Sequence, residues 1–283
     1  MSRLHVRYPA LAFALSVVSA PISAQTVPVL VNQGVYTQNF NSMGTLVSVY
    51  PTGWNGYKIS GSGALPDGAF INAATTPAFT ANNGSDNTGS VYNFGTIGDT
   101  DRALGSVASP NTTPGFGVVL INNSGRTLTA ADLLVAFRAE QWGTGASNNA
   151  DETWAFEYRT GGPLLDVNDP SSVGWTQVTG LDFHEIQTGT NGSGPIDGNA
   201  VGNFTNVSGT LNGLIWNPGD RLVLRWLDSF DSGTNAGMGI DDFSFTVFAQ
   251  VPEPGTLLLG SILLAGFAAG RWRLHSARAV RRP

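Results

Sequence analysis

Short segments in which apolar and polar residues alternate recur between residues 25 and 250. Five of them stand out, at 115–121, 133–142, 152–159, 221–226 and 240–248. Period-two alternation indicates a β-strand with one buried face. The uninterrupted apolar run at 115–121 instead predicts a central strand that is covered on both faces. Residues 133–142 fit a helix by propensity and a strand by alternation, and the strand is favoured by the surrounding pattern.

The alternation also predicts which side chains face the core. Trp154, Phe156 and Tyr158 share one face of their segment, and so do Leu222, Leu224 and Trp226. Val135, Phe137 and Ala139 oppose Arg138 and Glu140, while Phe243, Phe245 and Val247 line the last segment. The inward faces are therefore rich in aromatic and branched residues, as in the core of a β-sandwich.

The connections between these segments are rich in Gly, Asn, Ser, Thr and Asp, as at 81–90 and 189–202. Such residues favour tight turns. No amphipathic helix of convincing length and no internal linker interrupts 25–250. The sequence predicts one all-β domain over 25–250, built as a β-sandwich.

The first 24 residues have the pattern of a secretory signal. Arg3 and Arg7 precede an apolar stretch over 10–20, and Ile22-Ser23-Ala24 supplies small residues before Gln25. This predicts a signal helix over 1–24, cleaved between Ala24 and Gln25 by signal peptidase. The alternative, a buried first helix, would have no polar face.

An uncharged run of Leu, Ile, Ala and Gly occupies 256–269 near the C-terminus. Alone it is short for a membrane helix and would suit a buried one. Trp272 and five arginines favour a single transmembrane helix with a cytoplasmic end, because basic residues stay on the cytoplasmic side. The arginines that stop the segment in the membrane are Arg271, Arg273, Arg278, Arg281 and Arg282.

Pro252, Glu253 and Pro254 precede that run in an extended, helix-incompatible stretch. The order of Pro-Glu-Pro, apolar helix and arginine-rich end resembles the PEP-CTERM sorting signal. The resemblance implies that 251–283 is read by exosortase, a bacterial membrane peptidase. It also implies a transient inner-membrane anchor, removal of the tail, and a final place at the cell surface or outside the cell. Exopolysaccharide is an implied partner.

Composition and charge exclude some kinds of chemistry and disfavour some partners. The chain has no cysteine and one lysine, Lys58, and 25–250 holds seven basic residues against nineteen acidic ones. Disulfides and thiolate chemistry are excluded, and nucleic-acid binding is disfavoured because no basic patch exists. The closing Gly239-Ile240-Asp241-Asp242-Phe243, with Glu140-Gln141-Trp142 and Pro218-Gly219-Asp220, resembles secreted jelly-roll and concanavalin-like sandwiches. That resemblance implies the fold and no particular activity.

The residue pattern gives little indication of an enzyme active site. His184 is the single histidine of 25–250, no Gly-x-Ser-x-Gly turn occurs, and His184 is interpreted as a surface residue. Glu140, Glu157 and Glu185 could converge as the carboxylates of a glycoside hydrolase. The leading hypothesis is therefore a non-enzymatic surface or matrix protein, with carbohydrate binding as a candidate activity. A secreted glycan-directed hydrolase is the alternative.

Two ligand sites are suggested by composition. Oxygen-bearing side chains cluster towards the end of the domain, and calcium prefers such ligands, although Asp241 and Asp242 could instead bond turn amides. The candidate calcium ligands are Asp228, Asp231, Asn235, Asp241 and Asp242. Four tryptophans beside Gly- and Asn-rich turns could stack on sugars, namely Trp54, Trp142, Trp175 and Trp216. The acidic domain would repel anionic polysaccharides unless calcium bridged them.

Overall fold

A computed structural model describes residues 25–145, 151–169, 173–188 and 193–250 of the chain. Its strands in chain order are β1 (Val29–Val31), β2 (Gly34–Gln38), β3 (Trp54–Ser60), β4 (Ala69–Phe70), β5 (Thr80–Asn82), β6 (Ser90–Phe94), β7 (Ala103–Val107), β8 (Thr113–Asn122), β9 (Leu128–Thr129), β10 (Leu133–Thr144), β11 (Thr153–Gly161), β12 (Thr176–Gln177), β13 (Phe183–His184), β14 (Gly194–Pro195), β15 (Phe204–Gly209), β16 (Ile215–Trp216), β17 (Arg221–Asp228) and β18 (Gly237–Val247). Three short 3-10 turns lie at Asn41–Met43, Ala130–Asp132 and Thr179–Leu181.

Sixteen strands form two sheets that pack face to face, and β9 pairs with β16 in a separate two-stranded sheet. Sheet A has the order β12-β11-β17-β8-β3-β4, with β1 beside β8 and β13 beside β11. Sheet B has the order β14-β10-β18-β7-β6-β5, with β15 beside β10 and β2 beside β18. Most pairs are antiparallel, while β1–β8 and β5–β6 are parallel. The predicted all-β, jelly-roll-like sandwich is confirmed, and the five alternating segments are β8, β10, β11, β17 and β18.

The inner faces of the two sheets form one aromatic core, as the alternation predicts. Trp226 is at its centre, with Phe116, Phe156 and Phe243 at centroid distances of 5.7, 5.1 and 6.1 Å. Polar contacts also link the two sheets in the interior. Ser106 of β7 donates from Oγ to Asp228 Oδ2 of β17 at 2.8 Å, and Trp154 Nε1 donates to Ser106 Oγ at 2.8 Å.

A second apolar cluster lies on the outer face of sheet A. Residues 162–169, named the strap here, cross this face and bury Leu165 and Val167 against Tyr57, Val119 and Val223. β8 is thus covered on both faces, as its sequence predicts. The strap is fixed by Asp166, whose carboxylate accepts from Thr26 N at 2.7 Å, Thr26 Oγ1 at 2.6 Å and its neighbour's backbone N–H at 2.7 Å.

Lys58 of β3 is also buried, with its side chain 2% exposed. Its ammonium donates to the carbonyl oxygens of Gly61, Gly63 and Leu65 at 2.9, 3.2 and 2.6 Å. Asp67 completes the shell with a carboxylate at 2.9 Å. The loop after β3 therefore encloses the lysine ammonium with oxygen atoms, which compensates for its removal from water.

Several segments that the sequence singles out lie outside the described residues. The signal helix over 1–24 with Ala24, the Pro252-Glu253-Pro254 motif and the arginines from Arg271 to Arg282 are among them. Within the described ranges, no helix is both long and apolar enough to cross a membrane.

Candidate functional site

The outer face of sheet B carries a small aromatic cluster around Trp142, near the end of β10. The indole is 1% exposed and stacks parallel to Phe94 at 6.4 Å, and Tyr92, Ala103 and Val107 complete the cluster. Two loops cover it from distant parts of the sequence. Gly84 lies on the backbone of Trp142, where a Cβ would collide with the carbonyl oxygen, and Gly198 lies on the ring.

A cleft opens beside this cluster where the two covering loops meet the β6–β7 loop. One half has a volume of about 280 Å³ and is lined by Asn83, Thr96, Ile97, Trp142, Pro195, Ile196 and Asp197. The other half measures about 250 Å³ and is lined by Thr45, Ala81, Asn82, Asn83, Ser85, Gly95, Ile97, Gly98 and Arg102. Asn83 and Ile97 line both halves, so we treat them as one edge cleft.

The edge cleft combines uncharged polar groups and the carboxylate of Asp197 with an apolar wall. Within the described residues, the side chains of Asn83, Ser85 and Thr96 have no hydrogen-bond partner, so their amide and hydroxyl groups can bind a ligand. Ile97 is 84% exposed beside them. The guanidinium of Arg102 is already bonded to Asn93, at 2.6 Å from Nε, and is nearly buried. The cleft therefore offers hydrogen-bonding amides and hydroxyls rather than free positive charge.

Two buried carboxyl groups lie next to the cluster on the same face of sheet B. Glu140 is 1% exposed, accepts from Trp142 Nε1 at 3.0 Å and pairs with Arg138 Nε at 3.1 Å. Asp241 is 3% exposed, and its Oδ1 has no hydrogen-bond partner. Burial raises the pKa of Glu140 to about 7 and that of Asp241 to about 8, and the charges of Asp101 and Asp242 add to both shifts. Both groups can thus hold a proton near neutral pH.

The structure separates the five candidate calcium ligands. Asp228 lies inside the sandwich on β17, where burial raises its pKa well above the usual range, whereas Asp241 lies on the outer face of sheet B. Asn235, with its amide oriented to suit its neighbours, bonds the backbone N and O of Asp231 at 3.2 Å, and Asp242 has φ 47° in a bulge of β18. Over the described ranges, no three His, Cys, Asp or Glu side chains are arranged to hold a metal. Because β17 and β18 belong to different sheets, Asp241 and Asp242 lie apart from Asp228, and calcium binding by the remaining residues stays a prediction.

Three of the four tryptophans expected to stack on sugars are instead buried. Trp54 and Trp216 are 1% and 0% exposed and donate from Nε1 to Tyr36 Oη and Asp220 O, at 2.9 and 2.8 Å. Trp142 reaches the cleft only at its floor. The turns beside these residues fold over the indoles instead of leaving them in solvent, and their rings pack on Phe40, Phe94 and Phe245.

Trp175 is the exception and remains half-buried on the outer face of sheet A. The guanidinium of Arg225 lies 3.5 Å above its ring centroid and bonds Glu157 Oε2 through Nε and Nη2, at 3.0 and 2.8 Å. One face of the indole is therefore occupied by Arg225. Trp175 lies on the opposite sheet from the edge cleft and does not contribute to it.

The three glutamates considered for glycoside hydrolysis do not converge. Glu140 faces outward from sheet B, Glu157 is paired with Arg225 on sheet A, and Glu185 accepts from Gln141 Nε2 at 3.2 Å. His184, with its side chain 57% exposed, is a surface residue as predicted. Glu140, Glu157 and Glu185 thus lie in three different environments and do not form one carboxylate pair.

Apart from Trp142, the cleft residues are absent from the sequence-based candidates. Asn82, Asn83 and Ser85 lie in the 81–90 stretch that predicts turns, and Thr96 and Ile97 lie in the β6–β7 loop. The one available signal is Ile97, a large apolar residue within a run of Gly, Thr and Asp. Only the folding of three separate loops against Trp142 brings these residues together.

Comparison with known proteins identifies the C-terminal segment. Residues 250–273 match the PEP-CTERM protein-sorting motif. This confirms the resemblance carried by the Pro-Glu-Pro sequence and implies processing by exosortase at the membrane. No curated protein matches the chain.

Solved structures similar to the chain include three carbohydrate-binding domains. The CBM22-1 xylan-binding domain of Paenibacillus barcinonensis Xyn10C is 8% identical, with a TM-score of 0.35 over 78% of this chain and 99% of that one. The CBM22-1–CBM22-2 tandem domain of the same protein is 9% identical, with a TM-score of 0.33 over 79% and 48%. The xylan-binding domain from CBM 22, formally the x6b domain, is 13% identical, with a TM-score of 0.34 over 77% and 98%. Scores this low do not indicate a shared ligand.

Proposed function

We propose that this chain is an exported, exosortase-sorted surface protein whose sandwich binds a neutral polysaccharide in the edge cleft. In this proposal residues 1–24 are a cleaved signal peptide, 25–250 the binding domain and 251–283 the sorting signal. The mature protein then resides at the cell surface or in the extracellular matrix. The sorting motif at 250–273 supports the export route.

The observation that carries the binding proposal is the chemistry of the cleft. Asn83, Ser85 and Thr96 offer unpaired amide and hydroxyl groups next to the exposed side chain of Ile97. Sugar rings present hydroxyl groups at their edges and apolar C–H groups on their faces, so they match a wall that combines both. Shallow clefts of this kind suit a polymer that makes several modest contacts.

The charge of the domain favours a neutral polymer. Residues 25–250 include seven basic and nineteen acidic residues, and Arg102 at the cleft is bonded to Asn93. Repulsion at low salt therefore disfavours uronic-acid or sulfated chains. Binding without catalysis is consistent with the separation of Glu140, Glu157 and Glu185.

Affinity electrophoresis of the mature protein tests this proposal. Neutral xylan, glucan, mannan and galactan are compared with anionic alginate in the gel. The variant Asn83→Ala/Ser85→Ala should bind the retarding polymer about 5- to 30-fold more weakly, since each lost hydrogen bond contributes roughly 1 kcal/mol. Ile215→Ala, at an apolar residue that is 64% exposed outside the cleft, is the control.

Two results would contradict the proposal. If no neutral polymer retards the protein, the proposal of polysaccharide binding is wrong. If the cleft variant and the control are retarded equally, the edge cleft is not the binding site. Release of reducing ends during incubation would instead favour the hydrolase alternative.

A further inference from the structure

The chain leaves the sandwich at one well-defined end. β18 stops at Val247, and Phe248 N donates to Asp132 O at 2.8 Å. Arg126 donates from Nη2 to Phe248 O at 3.2 Å and pairs through Nη1 with Asp132 at 2.7 Å. Phe248 is therefore fixed to the domain, and seven residues, 249–255, separate it from the apolar run at 256–269. Even fully extended, these seven residues reach only about 25 Å.

The edge cleft lies towards the other end of sheet B. Leu133 pairs with Val247 at the end where the chain leaves, and Gln141 pairs with Met238 next to Trp142. Trp142 lies nine residue steps after Leu133 along β10. At about 3.3 Å per residue, the floor of the cleft is roughly 30 Å from the point of departure.

The loops at the departure end form a separate surface. It consists of the β8–β9 loop at 123–127, the turn Ala130–Asp132 and Phe248, and we name it the exit end. The exit end also includes one end of sheet A, because Arg221 at the start of β17 pairs with Ile121, which lies near the end of β8, just before the β8–β9 loop. In both sheets, therefore, the same end lies where the chain leaves the domain, and the opposite end lies away from that point.

We propose that, while the sorting tail holds the protein in the membrane, the exit end is the end nearest the lipid headgroups and the edge cleft points away. This rests on the proposed function, because the tail must be membrane-held. The reach of the seven-residue tether, about 25 Å, carries the argument, because it is shorter than the roughly 30 Å between the exit end and the edge cleft and so limits how far the domain can turn over. The tether maintains this orientation, and no affinity of the exit end for lipid is required.

Energy transfer from single labelled cysteines to the membrane tests the orientation. The chain contains no cysteine, so Thr127→Cys at the exit end and Ser85→Cys at the cleft each create one labelling site. The full-length chain is reconstituted in phosphatidylethanolamine–phosphatidylglycerol vesicles with an acceptor dye on the headgroups. Transfer at position 127 should exceed that at position 85 by at least about twofold, given a separation of roughly 30 Å.

A linker variant provides the matched control. Inserting about twenty Gly and Ser residues after Gln250 adds a coil with a root-mean-square span of about 25 Å, which should reduce the difference between the two positions. Equal or reversed transfer in the parent chain would overturn the orientation while leaving sorting intact. A precursor that does not float with the vesicles would overturn the membrane anchor, and the orientation with it.

Discussion

At the scale of single residues, burial of carboxyl groups is the feature that most distinguishes this domain. Glu140, Asp228 and Asp241 are 1%, 1% and 3% exposed. Burial raises the pKa of each, because a charged carboxylate is poorly stabilised away from water. Ser106 and Trp142 provide hydrogen bonds that partly offset this effect. An acidic protein that is exported can therefore respond to the pH of its surroundings.

We predict that the folded domain becomes less stable as the pH rises from about 5 to about 9. The pKa of Glu140 is about 7 and that of Asp241 about 8, both above their values in an unfolded chain. The folded protein binds these protons more tightly, so the free energy of unfolding falls as pH rises past the unfolded pKa of about 4 and levels off above the folded values. The thermal midpoint should drop by at least about 5 °C.

Differential scanning calorimetry in buffers matched for ionic strength measures this drop. Asp241→Asn should flatten the profile, since the amide cannot titrate. Asp220→Asn, which removes a carboxylate whose side-chain partner is the amide of Asn217 at 3.3 Å, should leave the slope unchanged. A parent midpoint that rises between pH 5 and pH 9 would show that these carboxyls are not protonated in the fold.

Residue burial was only partly predictable from the sequence. Trp154 and Trp226 follow the alternation of their strands and lie in the core as predicted. Trp142 occupies an outward-facing position, and its burial depends on Gly84 and Gly198, which approach from loops distant in sequence. Local pattern identifies the face of a strand but not the loop that will cover it.

At the scale of elements, the long strands were predicted well and the short ones were not. β8, β10, β11, β17 and β18 each contain at least eight residues, so alternation is readable along them. Strands such as β9, β12 and β16 have two residues and carry no period. The ambiguity at 133–142 is resolved because β10 pairs with both β15 and β18, which a surface helix could not do.

The strap is the element most open to a direct test. Asp166→Ala removes three hydrogen bonds that tie the strap to Thr26 and to its own backbone. We expect a destabilisation of roughly 2–3 kcal/mol, because hydrogen bonds to a charged group are stronger than neutral ones. Leu164, already 85% exposed, should become a site of rapid proteolysis.

Limited proteolysis followed by mass mapping measures the opening of the strap. Asp182→Ala is the matched control, since Asp182 also accepts from a backbone N–H, that of Phe156 at 2.7 Å, but holds β11 instead of the strap. It should lower stability without new cleavage at 162–169. Equal cleavage in both variants would indicate general loosening of the domain.

At the scale of the whole molecule, the fold was predictable from the sequence and the edge cleft was not. Asn83, Ile97 and Asp197 come from three loops that meet only after the sandwich has closed. Nothing in their local sequence distinguishes them from ordinary turn residues. The sorting motif, by contrast, is one continuous segment of the sequence, so its residues are readable without any structure.

The enclosure of Lys58 has a consequence for how this protein can be joined to other molecules. It is the only lysine of the chain, and its ammonium is surrounded by three carbonyl oxygens and Asp67. A native-state labelling experiment with an N-hydroxysuccinimide ester should leave Lys58 unmodified, and peptide mapping should find it acylated only after unfolding in urea. Rapid acylation of the native protein would show that the loop opens readily.

With its side-chain amine inaccessible, the folded domain gives reducing sugars no lysine to glycate and transamidating enzymes no lysine to cross-link. An isopeptide bond to a neighbouring polymer through this side chain would first require the loop after β3 to unfold. Covalent attachment to a surface would then have to use another group, such as the carboxyl end that tail removal creates. Such a protein could remain in a sugar-rich matrix without its lysine being altered by that matrix.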